Sequence, residues 1–301
     1  MDVGPTPHFA GVDARLHKLF VSNLAAGTLT VVSTRTGRRL ATVHLGGTLH
    51  TVMVDQETGR VYVTDIQRGL LDVVDARTDA VLAEIPVGRL PHGLVVSQRR
   101  HVAWVSLVGQ SQAVEVDLRT DRVLRRVPTG PNPWGVTLNS RTDRVYVADT
   151  GILPVPGGFR INPRGDSITE IDGRTGRVLA TIPVGPHPWN VVADPRNHRV
   201  YAGVSGAAEV AVIQGRRVVA RIPVGRTPHG LALAPHAPWL LVNNSGSNTT
   251  SVINTRTNRV VETVAVGRQP QGVAVDPRTG RAYVENQASA TVTVLAPGRR
   301  P

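Results

Sequence analysis

One repeat of about 42 residues runs through the chain seven times, and it constrains the fold more than any other feature. Each copy has an apolar segment ending in a Val-Gly-like pair, a turn of the Pro-His-Gly type, and a second apolar segment. Ile85-Pro86-Val87-Gly88-Arg89-Leu90-Pro91-His92-Gly93 and Ile222-Pro223-Val224-Gly225-Arg226-Thr227-Pro228-His229-Gly230 show it most clearly. The anchoring glycines are Gly4, Gly46, Gly88, Gly130, Gly185, Gly225 and Gly267, spaced 42, 42, 42, 55, 40 and 42 residues. Sixteen residues after each anchor stands Phe20, Tyr62, Trp104, Tyr146, Tyr201, Leu241 or Tyr283, so the register holds in every copy.

A period near 42 with strand-like content defines a propeller or a solenoid. Each copy reads as four short strands; in the second they are roughly 51–54, 60–64, 70–74 and 80–86. Turn chemistry separates them, as in Asp55-Gln56-Glu57-Thr58-Gly59. A linear stack would need polar capping repeats, and none is visible, whereas radial closure leaves few exposed edges. The expectation is one all-β domain over 1–301, a seven-bladed β-propeller of four-stranded antiparallel blades. The last copy lacks a fourth strand of its own, and only Met1, Asp2 and Val3 precede the first anchor. This reading expects that natural residues precede Met1; a last blade with a fragmentary outer strand is the alternative.

Composition fits. Aromatics are only 4% of the chain, so the core falls to Val, Leu, Ile and Ala, and Val suits a pleated sheet. There is no Cys, which excludes disulfides and thiolate metal sites. No apolar run is long enough for a membrane-spanning helix. The net charge of +12 comes almost wholly from Arg, Lys18 being the single lysine. Arg binds phosphate and carboxylate well, but the basic turns carry acids beside them and little aromatic interleaving for stacking bases. Nucleic acid is therefore disfavoured as a partner.

Val61-Tyr62-Val63-Thr64-Asp65, Val145-Tyr146-Val147-Ala148-Asp149 and Ala282-Tyr283-Val284-Glu285-Asn286 resemble the signature of the YVTN-type β-propeller repeats of bacterial proteins. The resemblance covers nearly the whole chain and implies a seven-bladed propeller and a periplasmic or secreted location. It implies no one activity, since related propellers include lactonases and lyases as well as proteins of unknown role.

Strand direction places the links between blades, and the turns between second and third strands, on one face, here called the top. Four residues after each anchor stand His8, His50, His92, Trp134, Trp189, His229 and Gln271. Pseudo-symmetry puts them in one ring around the central channel. Neutral imidazoles suit transition metals, so His8, His50, His92 and His229 are candidate ligands for Zn, Cu, Fe, Ni or Mn. Duplication of a Pro-His-Gly consensus is the competing explanation, each imidazole then bonding only its neighbour's loop.

Two asymmetries favour a site. Trp134 and Trp189 replace His in adjacent copies, and the fourth copy carries extra residues at about 150–165, expected as a long top-face loop. Trp134, Trp189, Gln271 and Phe159 are the candidate substrate contacts. Asp65, Asp149 and Glu285, at or next to the top ends of second strands, are candidate general bases or supports for the imidazoles.

The sequence thus supports a metal-assisted lyase, hydrolase or oxygenase acting on a small molecule in the channel of a monomer. No organic cofactor is indicated. The alternative is a binding or scaffold propeller for a protein, glycan or other polymer.

Overall fold

The structure is a computed structural model that describes residues 1 and 3–296. Seven antiparallel sheets form the blades. Six have four strands in sequential order, and the seventh has three. Blade two is typical: Leu49–Asp55 innermost, then Arg60–Asp65, Leu70–Asp75 and Val81–Pro86 outermost. The innermost strand begins two residues earlier than the sequence suggests, so the ring residue His50 lies inside it.

Burial falls from the axis outward. Second strands such as Arg60–Asp65 are almost wholly buried, while fourth strands such as Val81–Pro86 bury little beyond Ile85. The aromatic sixteen residues after the anchor fills the seam to the next blade. Tyr62, for example, packs with Leu94, Val105 and Val114 of blade three. Phe20, Tyr62, Trp104, Tyr201 and Tyr283 are all at most 1% exposed, so the few aromatics are spent on these seams.

Closure uses the first residues of the chain. Met1 exchanges two main-chain hydrogen bonds of 2.9 Å with Val292 on the last strand, Thr291–Leu295. Val3 is fully buried at the place Val87 takes in blade two. The N-terminus therefore supplies the end of blade seven's outer strand; Asp2 lies outside the described residues.

On the bottom face the acids serve their own turns. Asp75 accepts from the main-chain N–H groups of Arg77 and Thr78, and Asp276 from those of Arg278 and Thr279. No helix of the described residues is long and apolar enough to cross a membrane.

Candidate functional site at the axial mouth

In all seven blades the pairing between first and second strands slips at the ring residue. The break falls between Pro7 and Ala10, Leu49 and Val52, Pro133 and Val136, and at the corresponding places elsewhere. Such a bulge re-aims a side chain that a regular ladder would send into a blade interface. Here it brings six ring systems together at the top of the axis.

The six rings touch in sequence. Centroid separations are 4.3 Å for His8–His50, 3.5 Å for His50–His92 and 4.3 Å for His92–Trp134. They continue at 4.8 Å for Trp134–Trp189, 4.6 Å for Trp189–His229 and 5.8 Å for His229–His8. His8 Nε2 and His50 Nε2 are 2.8 Å apart. Gln271 is buried, but its amide turns outward to Gln287 Oε1 at 3.1 Å.

One participant was missed in the sequence. Phe9 lies beside the ring, its centroid 5.3 Å from His8, 5.0 Å from His50 and 6.0 Å from His229. The other residues five after an anchor are Thr51, Gly93, Gly135, Asn190, Gly230 and Gly272. Adjacent innermost strands approach closely there; a Cβ on Gly272 would lie 2.8 Å from both His8 O and the Phe9 ring. A single large residue in a column of small ones was the available signal.

The four imidazoles are buried, and burial holds each pKa below the ordinary histidine value, His229 at about 4. Mutual repulsion of the charged forms adds to this at His8, His50 and His92. The ring is therefore uncharged at neutral pH. Among the described residues Nδ1 of His8, Nδ1 of His229 and Nε1 of Trp189 are buried without hydrogen-bond partners, while His50 Nδ1 has Thr51 Oγ1 at 3.0 Å. Against the ring lies a chamber of about 190 Å³, lined by Phe9, Met53, Leu94, Val136, Val191 and Leu231 among others. Among the described residues no three His, Asp or Glu side chains are disposed to hold one metal ion.

The 13 extra residues of the fourth copy (55 against 42) differ in form from the expected loop. They carry a β-hairpin, Ile152–Val155 with Gly158–Ile161. Its base is tied to the ring, since Trp134 Nε1 donates to Ile152 O at 2.9 Å and Ile152 packs with Trp134 and Val108. Its tip projects outward. Phe159 is 62% exposed and does not line the chamber, which corrects the expected substrate contact: every residue of its strand, Gly158–Ile161, is exposed on both faces, so the ribbon holds it in solvent.

None of the three candidate carboxylates hydrogen-bonds an imidazole among the described residues. Asp65 Oδ1 accepts from the main-chain N–H groups of Thr48, Gln67 and Arg68, and its Oδ2 pairs with the Arg68 guanidinium. Asp149 Oδ2 accepts from Ser167 Oγ at 2.9 Å and Thr169 Oγ1 at 2.7 Å, and burial lifts its pKa to about 7. Asn23, Asn244 and Asn286 make the matching contacts to Thr and Ser of their own third strands. These are blade-internal ties.

Glu285 occupies a different repeat position, eighteen residues after its anchor, in line with Ser22, Thr64, Ser106 and Asn243. Each of those donates across a seam to the carbonyl of the next blade's ring residue. Ser22 reaches His50 O at 2.6 Å, Thr64 reaches His92 O at 2.9 Å, Ser106 reaches Trp134 O, and Asn243 reaches Gln271 O at 3.3 Å. Glu285 faces the last seam, toward His8 O, and neither of its buried carboxyl oxygens has a hydrogen-bond partner among the described residues. A carboxylate has no proton to donate, and burial pushes the Glu285 pKa well up, toward the neutral acid that has one. Glu285→Gln keeps the shape and supplies a donor at every pH. It is expected to stabilise the protein at pH 8 by about 1–3 kcal/mol, the usual cost of a buried unsatisfied polar group. Urea unfolding at pH 8 and pH 4.5 checks this: the gain should shrink at the lower pH, and destabilisation at pH 8 would refute the seam role.

No family model matches this chain, and no curated protein does. Among solved structures it is similar to a chain of hydrazine synthase from Kuenenia stuttgartiensis, with 20% sequence identity and a TM-score of 0.84 over 99% of this chain and 97% of that one. The likeness is one of fold: this chain is a seven-bladed β-propeller.

Proposed function

We propose that the axial mouth is the working site and that the protein acts on a small, uncharged organic molecule there. The observation that carries this is the ring of four neutral imidazoles and two indoles set against an apolar chamber. Neither Arg, Lys, Asp nor Glu lines that chamber, so a charged ligand would lose its hydration without return. Trp134 and Trp189 offer flat apolar faces, and neutral imidazole both accepts and donates protons.

On this reading His8, His50, His92 and His229 would have to part from their mutual contacts to hold a divalent transition metal, since no three side chains of the described residues are disposed around one ion, and the metal would supply Lewis-acid or redox chemistry when bound. The donor set agrees in one respect: the imidazoles are unprotonated at neutral pH. The 2.8 Å between the His8 and His50 Nε2 atoms is shorter than the roughly 3.3 Å between adjacent nitrogens of a tetrahedral zinc site and suits a hydrogen bond between opposite tautomers. The direct contact of the His50 and His92 rings favours a second reading, a binding propeller whose axis is closed by its own side chains.

Metal analysis separates the two. Tag-free protein reconstituted with Zn, Cu, Fe, Ni or Mn salts is expected to retain near one equivalent of one metal after dialysis, and His50→Ala with His92→Ala to retain none. Less than 0.1 equivalent in the parent protein would leave the binding propeller.

A further inference from the structure

The innermost strands carry one more departure from the repeat. Five residues after the anchor, four blades have glycine (Gly93, Gly135, Gly230 and Gly272) and one has Thr51. Phe9 in blade one and Asn190 in blade five break the column. Each leans over the glycine of the preceding blade. A Cβ on Gly272 would lie 2.8 Å from the Phe9 ring, and a Cβ on Gly135 would lie 2.7 Å from Asn190 Oδ1. Both side chains line the axial chamber, and both are only partly buried where the other five residues of the column are buried.

Asn is a poor strand former, and glycine serves the same place in four blades, so folding does not call for an amide here. Blade five nevertheless holds it firmly. In the other six blades the ladder resumes six residues after the anchor, as at Ala10 and Val52. In blade five it resumes at Asn190 itself, which pairs with Gly203.

The amide is half used. Asn190 Oδ1 accepts from the main-chain N–H of Val191 at 2.8 Å, which assigns the two ends of the amide. Its Nδ2 has no hydrogen-bond partner among the described residues. The adjacent Trp189 also lines the chamber and holds a second free donor. Its Nε1 is buried without a partner among the described residues, whereas the equivalent Trp134 Nε1 donates to Ile152 O. Phe9 stands three blades away around the axis. The chamber therefore has an aromatic wall on one side and unused N–H groups on the other.

We propose that the chamber binds a one-ring aromatic molecule bearing a neutral carbonyl. The ring packs against Phe9, and the carbonyl oxygen accepts from Asn190 Nδ2. The inference rests on the axial mouth being the working site, and it adds the class of ligand and the residue that selects it. Size agrees, since a dry cavity of about 150 Å³ takes up benzene and this chamber holds about 190 Å³. A carboxylate is excluded, because no Arg or Lys lines the wall to replace its hydration.

The test uses acetophenone as probe, with ethylbenzene (the same skeleton without the carbonyl) and benzoate as controls, followed by calorimetry on the metal-free whole chain. Acetophenone is expected to bind saturably and about tenfold more tightly than ethylbenzene, the effect of one buried donor paired or left unpaired. Benzoate should bind more weakly than either. Asn190→Gly restores the residue of four other blades, so it should keep the fold and erase the difference between acetophenone and ethylbenzene. Asn190→Asp, an acceptor of the same shape, should erase it as well. Acetophenone no tighter than ethylbenzene in the parent, or a difference that survives in both variants, would overturn the role of Asn190 while leaving the mouth a binding site. If none of the three probes binds the parent protein, the mouth is not a site for small uncharged molecules and the inference falls with that reading.

Discussion

Metal-free protein is expected to lose several kcal/mol of stability between pH 7 and pH 4, because four imidazoles stay neutral in the folded protein while the unfolded chain takes up their protons. The sign follows from where the protons sit. An unfolded histidine takes up its proton near pH 6.5, whereas folded His229 does so only at about 4. Between those values the unfolded chain holds more protons, so stability falls as pH falls. For His229 alone the difference approaches about 3 kcal/mol once pH drops below 4. His8, His50 and His92 shift the same way. Glu285 and Asp149 oppose this, since their raised pKa values leave the folded state holding the extra proton across part of the same window. Urea unfolding from pH 7.5 to 4.5 in Glu285→Gln protein, where one opposing group is gone, should show the steepest decline. Adding His229→Gln to that background should flatten it. A stability that is level over this range in both proteins would mean the imidazoles are not buried in neutral form.

Much of this was legible in the sequence because repetition converts position into geometry. Equal offsets from seven glycines place His8, Trp134 and Gln271 at equivalent points, so the convergence of the six rings follows once the propeller closes, while Gln271 turns its amide away to Gln287. Contact is harder to read than convergence. Whether imidazoles stand off around a gap or stack, as His50 and His92 do, depends on bulge geometry and on what else enters the axis. Phe9 enters it, and that was visible only by comparing a column of seven small or variable residues. Glu285 shows the opposite difficulty. An acid near a strand end suggests chemistry, but its column of Ser22, Thr64, Ser106 and Asn243 identifies a seam donor. The hairpin after Thr150 had no second copy to compare with, so the direction of Phe159 could not be inferred.

Replacing Trp134 by Ala is expected to cost about 3–5 kcal/mol, as for other large aromatic rings removed from a packed core. Trp134 is 6% exposed, touches both His92 and Trp189, and holds the base of the hairpin through Ile152. Removing it opens the aromatic half of the ring and leaves Ile152 O without its donor. The global effect should appear in urea unfolding. The local effect has its own readout, because Arg160 and Arg164 lie exposed in the insertion beyond that anchor. Trypsin should cut there faster in Trp134→Ala than in the parent, under conditions where both remain folded. Trp134→Phe keeps most of the apolar contact and loses only the N–H. It should therefore recover most of the stability while leaving cleavage at Arg160 and Arg164 faster than in the parent. If Trp134→Phe restores both properties fully, packing alone secures the hairpin. If Trp134→Ala changes neither, the insertion is held by something other than the ring, and the coupling between the two halves of the mouth does not exist.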